Sequence, residues 1–230
     1  MRIPAIIATV LAMASIGPAA ELSRDQGLIV ACYKLDLDGV VAALRDGAKI
    51  DGRYGKGDPT FFEDPWDAGT APIGSKEWTP LIALANASNY PNPSRKVQNT
   101  EKDLAWAREQ KAKIPSDQLE QRQRTIQTIA LILLSHAANI DLDDGFGATA
   151  LNDAIGTRKL ELAKLLLRFN AKVNTKTGVY IDGPGGQTPL HRAWWSPELR
   201  KILLEKGADP NAKDSDGHTP DDVVRLALPR

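Results

Sequence analysis

The sequence has a single cysteine and no excess of either charge. Cys32 alone excludes an intrachain disulfide and a cysteine-based zinc cage. Lys and Arg together number 29, as do Asp and Glu, so no global positive field attracts a phosphate backbone, and a nucleic-acid partner is not expected. No long tract of biased composition occurs either, and hydrophobic residues make up 42% of the chain. The composition therefore predicts an ordered, soluble protein.

Residues arranged for catalysis or metal binding are also missing from the sequence. The histidines His136, His191 and His218 have no metal-ligand spacing, no serine lies in a nucleophile-elbow sequence, and no phosphate-binding glycine-rich loop occurs. Asp143-Asp144-Gly145 lacks the spaced acidic ligands and the closing Glu of a calcium loop. We therefore predict no enzyme activity, no metal and no cofactor.

The N-terminus has the pattern of a secretory signal peptide. Met1 and Arg2 precede an apolar run over residues 3–16, and small residues up to Ala19 lead into a polar segment. We expect residues 1–19 to be removed and residues 20–230 to be periplasmic or secreted, without a membrane anchor. Lipid attachment is not expected, because Cys32 does not follow the run closely. The alternative is a buried N-terminal helix, since the run is short for a membrane span.

Four segments of the remaining chain superpose on one another. Their closing sequences are Leu44-Arg45-Asp46-Gly47-Ala48, Leu134-Ser135-His136-Ala137-Ala138, Leu167-Arg168-Phe169-Asn170-Ala171 and Leu204-Glu205-Lys206-Gly207-Ala208. The matching starts are Trp78-Thr79-Pro80-Leu81, Ala148-Thr149-Ala150-Leu151, Gln187-Thr188-Pro189-Leu190 and His218-Thr219-Pro220-Asp221. A Thr N-cap followed by Pro begins a helix cleanly, and the Gly position at the close permits a left-handed backbone. Ala137 departs from that glycine rule.

This pattern resembles the ankyrin repeat family, since Thr188-Pro189-Leu190-His191 is similar to the family's opening signature. The resemblance covers nearly all of residues 24–227. It implies an all-α solenoid in which stacked repeats share one core, with the leucines Leu81, Leu151 and Leu190 facing inward. The expected repeats are 24–51, 75–141, 144–174 and 183–211, followed by a C-terminal half-repeat cap at 214–228.

Three insertions interrupt the basic repeat unit, at about 53–74, 88–124 and 177–184. The first and third enlarge the hairpin fingers that the resemblance implies between repeats. The second is expected to add a helical arm to the second repeat, with a helix that begins near Ser116 and runs into Leu134. The aromatic residues of the first insertion either fold back over the first two repeats or form a binding loop.

The resemblance also implies a protein-binding surface made by the fingers and the first helix of each repeat. The candidate partner-binding residues are Tyr54, Phe61, Phe62, Trp66, Trp78, Phe146, Tyr180, Gln187 and Trp195, whereas Trp194 is expected in the core. We predict a monomeric, non-enzymatic module that binds one protein, as an inhibitor or immunity protein or as an accessory subunit of a periplasmic enzyme. The alternative is a carbohydrate or cell-wall binder that stacks sugar rings on exposed Trp66, Trp78 and Trp195.

Overall fold

The computed structural model describes residues 23–54, 77–87, 115–179 and 184–227. Within these ranges every regular element is helical, and β structure is limited to two isolated bridges, Tyr54 with Trp78 and Asp143 with Thr149. This agrees with the predicted all-α class. The predicted signal peptide and most of the first two insertions lie outside the described residues. The number of repeats stays a prediction.

The described helices form two layers. They are α1 (Arg24–Lys34), α2 (Leu37–Arg45), α3 (Pro80–Asn86), α4 (Ser116–Ser135), α5 (Ala150–Gly156), α6 (Leu160–Arg168), α7 (Pro189–Arg192), α8 (Pro197–Glu205) and α9 (Pro220–Ala227), with a 3-10 turn over Ala193–Trp195. Helices α1, α3, α5, α7 and α9 contact one another in series and form the inner layer. Helices α2, α4, α6 and α8 form the outer layer in the same way. The start of α4 at Ser116 agrees with the sequence prediction.

Side chains from both layers form one continuous apolar core. The predicted inward leucines Leu81, Leu151 and Leu190 are buried in it, and the outer helices contribute Val40, Leu133, Leu166 and Leu203. Helix α6 alone buries five apolar residues over nine positions, a face too broad for a single repeat to cover. Stacking of neighbouring repeats is therefore what stabilises each helix pair.

A threonine cap begins four of the inner helices. Thr79, Thr149, Thr188 and Thr219 each stand immediately before the first helical residue. In three of them the residue at the third helical position completes the cap by accepting a hydrogen bond from the threonine backbone N–H. Those acceptors are Asn152, His191 and Asp222, at 3.2, 3.1 and 2.9 Å. Chemically different side chains thus satisfy the same unpaired donor at the helix N-terminus.

Each outer helix is followed by a residue with a left-handed backbone. The φ angles are 85° at Gly47, 62° at Ala137, 62° at Asn170 and 85° at Gly207. The two glycines therefore behave as predicted. Ala137 adopts the same left-handed conformation although it is not a glycine, because the chain has to turn at this position before it enters the next repeat.

Candidate functional site

The predicted partner-binding residues divide into those the structure describes and those it does not. Phe61, Phe62, Trp66 and Tyr180 lie outside the described residues, and their role stays a prediction. The described candidates are Tyr54, Trp78, Phe146, Gln187 and Trp195. They lie along the side of the molecule built from the inner helices and the segments that precede them, but they differ strongly in exposure.

Trp78 is part of the core. Its side chain is only 6% exposed, and its ring lies 5.7 Å from the ring of Tyr33, centroid to centroid. Trp78 and Tyr54 also exchange two backbone hydrogen bonds, of 2.7 and 3.0 Å, which close the base of the first finger. The expectation that Trp78 is exposed is therefore wrong. Tyr54 is half-buried against the same core.

Phe146 lies at the tip of the finger that precedes α5. The buried carboxylate of Asp144 accepts hydrogen bonds from the backbone N–H groups of Phe146 and Ala148, at 3.0 and 3.1 Å. The Phe146 carbonyl in turn accepts one from Gly178 in the next finger. The backbone is thus fixed on both sides, while the Phe146 side chain is 38% exposed.

Val179 extends this apolar tip. It directly follows Gly178 and is 75% exposed, the highest value among the exposed large hydrophobic residues of the described chain. Phe146 and Val179 together are called the finger surface below. Val179 was not among the predicted site residues, although it lies within the predicted third insertion and beside Tyr180.

Gln187 and Trp195 are both half-buried. The Gln187 carbonyl accepts a hydrogen bond of 3.0 Å from the Thr177 N–H and so closes the base of the third finger. The Trp195 indole N–H donates to the Ile155 carbonyl at 3.1 Å, and its ring packs against the core. Trp194 is half-buried rather than a core residue, and the Cζ atom of Arg158 lies 5.3 Å from the centroid of its ring.

A buried polar cluster joins α3 to α5, close to the start of α6. The Lys159 ammonium donates to the Ala85 carbonyl at 2.9 Å and to Thr157 Oγ1 at 3.1 Å. Asn86 donates from Nδ2 to Asp153 at 2.7 Å. Burial lowers the pKa of Lys159 to about 7; the negative charge of Asp153 opposes this shift, and the positive charge of Arg122 adds to it. Sequence reasoning missed this cluster, because a lone lysine in a helix turn gives no sign of burial.

His191 makes hydrogen bonds through both nitrogen atoms of its buried ring. Its Nδ1 atom accepts hydrogen bonds from the backbone and side chain of Thr188, at 3.1 and 2.8 Å, and Nε2 donates to the His218 carbonyl at 3.0 Å. Burial lowers the pKa of His191, which favours the neutral imidazole that this arrangement needs. The ring joins the start of α7 to the finger before α9.

Neither a metal site nor a membrane-spanning helix is found in the part of the chain that the structure describes. No three His, Cys, Asp or Glu residues come together there in a way that could hold a metal ion. No described helix combines the length and the apolar character needed to cross a bilayer.

Paired helices in two layers, threonine caps and fingers between the pairs define a helical repeat protein. Residues 122–214 match the family model described as ankyrin repeats in three copies. This part of the chain is therefore similar to ankyrin repeats, modules that generally mediate protein–protein interaction.

Several curated proteins resemble this chain over the repeats. The identity is 36% over 103 residues with the BTB/POZ domain and ankyrin repeat-containing protein NBCL of Lotus japonicus, and 34% over 103 residues with the regulatory protein NPR5 of Arabidopsis thaliana. With Rabankyrin-5 of Mus musculus it is 34% over 111 residues. The matches cover 44%, 44% and 42% of this chain but only 19%, 19% and 9% of those proteins. The chain thus spans less than a fifth of the length of these relatives.

Proposed function

We propose that this protein is a non-enzymatic interaction module that holds one protein partner. The observation that carries the proposal is the finger surface, where Phe146 and Val179 expose apolar side chains on neighbouring fingers. Aromatic side chains supply much of the binding energy at protein interfaces. The Phe146 N–H donates to Asp144 and the Phe146 carbonyl accepts from Gly178; these bonds hold the backbone in place, so little conformational entropy is lost when a partner binds.

The carbohydrate-binding alternative has less support. It required exposed tryptophan rings, but Trp78 lies in the core and Trp195 packs against it with its indole N–H already bonded to Ile155. Trp66 lies outside the described residues. No described feature favours sugar stacking over protein binding.

Capture of the partner tests the proposal. The full chain, tagged at its C-terminus and recovered from the exported fraction of its own host, is expected to bring down one stoichiometric protein. Phe146→Ser combined with Val179→Ser should lose that protein, because the exposed apolar contact is removed. Leu204→Ser is the control, since Leu204 is an exposed apolar residue on the outer helix α8, away from the fingers.

Thermal unfolding of the same three proteins separates binding from folding. Melting temperatures of the double variant and the control should stay close to that of the unmodified protein, because surface changes cost little. Undiminished capture by the double variant would contradict the proposal. So would a fall of many degrees in its melting temperature, which would place the two side chains in the core.

We further propose that the protein acts in the periplasm or outside the cell, with residues 1–19 as its export signal. The short basic start and the apolar run support this. Mass measurement of the intact protein from the exported fraction should give a chain that begins at residue 20. A chain that retains residue 1 and stays in the cytosol would contradict it.

Within this function we propose that the protein either inhibits its partner or supports it as an accessory subunit. Adding the purified protein to the captured partner decides between the two. Loss of the partner's activity at equimolar ratio identifies an inhibitor or immunity protein, whereas gain of activity or of thermal stability identifies an accessory subunit. A partner whose activity and stability are both unchanged would contradict both roles.

A further inference from the structure

We propose that Arg158, Arg192 and Trp194 form a docking site for an acidic segment of the protein partner. This guanidinium site rests on the proposed function, because it names the chemistry of the partner that the module holds. It lies where the inner helix α7 meets the turn between α5 and α6, away from the tips of the fingers.

Gly156 leaves room for the guanidinium group of Arg192. Arg192 is the last residue of α7, and its side chain lies against the end of α5. A Cβ atom on residue 156 would stand 2.0 Å from Arg192 Nη2 and 2.8 Å from its Cζ. Any residue larger than glycine would displace the guanidinium, so the missing side chain at Gly156 is what permits this close packing.

Arg158 supplies the second guanidinium group from the same turn. It has a φ of 58°, in the left-handed region that residues other than glycine rarely adopt. Its guanidinium lies over the ring of Trp194, with 5.3 Å between Cζ and the ring centroid. Stacking on an aromatic face orients the guanidinium but leaves the edge with its N–H donors available.

Neither arginine is neutralised within the described residues. Elsewhere in these ranges Arg53, Arg124, Arg200 and Arg225 each lie beside a carboxylate at ion-pair distance. The backbone N–H groups of Arg158 and Arg192 donate to the Ile155 and Thr188 carbonyls, but neither guanidinium group has an ion pair or a hydrogen bond to any described residue. Asp153, on the same helix as Gly156, is already held by Asn86. Two guanidinium groups that both lie at this turn without an anion, one against Gly156 and one over Trp194, favour the binding of a negative charge.

The chemistry of these groups favours a carboxylate-bearing peptide. A guanidinium matches a carboxylate through two parallel N–H···O bonds, and Trp194 offers an apolar surface for the neighbouring methylene groups. The whole chain has equal numbers of acidic and basic residues, so it has no long-range field that would gather a polyanion. The site therefore suits one or two Asp or Glu side chains of a protein rather than a nucleic acid.

Peptide selection tests the assignment. Random peptides displayed on phage are selected against the full chain, and the recovered peptides are synthesised with a fluorescent label. We expect enrichment of Asp and Glu. Arg158→Glu combined with Arg192→Glu should weaken binding of these peptides by about tenfold or more, because both charged hydrogen-bond donors become repulsive. Arg45→Glu combined with Arg168→Glu is the matched control on the outer helices and should leave binding unchanged.

A further double variant and a competitor complete the experiment. Arg158→Gln with Arg192→Gln removes the charge without reversing it, so it should weaken binding even if the Glu pair fails to fold. Peptides that show no acidic enrichment, or that bind the Gln pair as tightly as the unmodified chain, would overturn the inference. Preferential displacement by inorganic phosphate over glutamate peptides would also overturn it, in favour of a phosphate ligand. A selection that recovers no peptide overturns it as well, whereas the proposed function is judged separately by partner capture.

Discussion

Lys159 Nζ donates a hydrogen bond of 2.9 Å to the carbonyl oxygen of Ala85. Because Lys159 lies in the turn after α5 and Ala85 lies in α3, this bond connects two neighbouring inner helices. The two residues lie 74 positions apart in the chain. Ala85 is in the last turn of α3, where its carbonyl has no partner within the helix. The lysine thus satisfies a backbone acceptor of one helix pair with a side chain of the next.

The low pKa of Lys159 makes the stability of the fold depend on pH. In the unfolded chain this lysine has a pKa near 10.5, whereas burial lowers it to about 7 in the folded protein. Between these values the unfolded state binds more protons, so the free energy of unfolding should rise with pH. The slope from one group is at most about 1.4 kcal/mol per pH unit.

Urea unfolding between pH 7 and pH 9 measures this slope. Lys159→Met removes the titrating group and should flatten the profile relative to the unmodified protein. The range stops at pH 9 because the Cys32 thiol, with an ordinary pKa of 9.0 that burial raises, acts in the opposite direction above it. Equal slopes in the two proteins would contradict the prediction.

Ala137→Gly is expected to stabilise the protein. Ala137 has a φ of 62°, the conformation that Gly47 and Gly207 adopt at the matching positions. Glycine removes the steric cost of this conformation, and this gain should exceed the entropic cost of ordering a more flexible unfolded chain. The free energy of unfolding should therefore rise by about 0.5–1 kcal/mol. Ala42→Gly is the control with the opposite expected sign. Ala42 is a solvent-exposed residue in the middle of α2, so this variant should lose about 0.5–1 kcal/mol of unfolding free energy. Urea unfolding of both variants decides, and a less stable Ala137→Gly protein would contradict the argument.

His191 should make the protein sensitive to acid. Burial holds its pKa below the ordinary value of 6.5, so the unfolded state binds the proton first as pH falls. The free energy of unfolding should therefore decrease as pH drops below about 6.5 and be unaffected by this group above it. His191→Asn should remove this part of the slope, because Asn152 makes the same cap at the start of α5 without titrating. The variant also loses the hydrogen bond to the His218 carbonyl, which should lower the free energy of unfolding by about 1 kcal/mol at every pH.

The measurement is the pH dependence of urea unfolding from pH 7 to pH 5. An unchanged slope in the His191→Asn protein would show that other groups control acid sensitivity, and the prediction would be wrong.

Trp78→Ala should destabilise the protein by about 3–5 kcal/mol, the usual cost of removing a large buried aromatic side chain. Phe146→Ala should cost about 0.5 kcal/mol or less, because that side chain is exposed at a finger tip. Calorimetry or urea unfolding of the two variants compares them directly. Similar losses for both would mean that the core and the finger surface are not distinct.

Features that depend on neighbours along the chain were predictable. Thr-Pro at positions 79–80, 188–189 and 219–220 predicted three helix starts, and all three are confirmed. Ser196 stands before Pro197 in the same way at the start of α8, and its Oγ accepts a hydrogen bond from the Leu199 N–H at 3.2 Å. Caps and proline act within one helical turn, so a few consecutive residues contain the whole interaction.

The repeated local signals in the amino-acid sequence thus determine the helices, their left-handed ends and the inward leucines. Stacking alone decides that Trp78 is a core residue, that Lys159 is buried against Ala85, that Arg158 lies over Trp194, and that Arg192 lies against Gly156. Each of these outcomes depends on which side chain of the neighbouring repeat covers the residue. That contact joins positions tens of residues apart, and the pattern within one repeat contains no information about it.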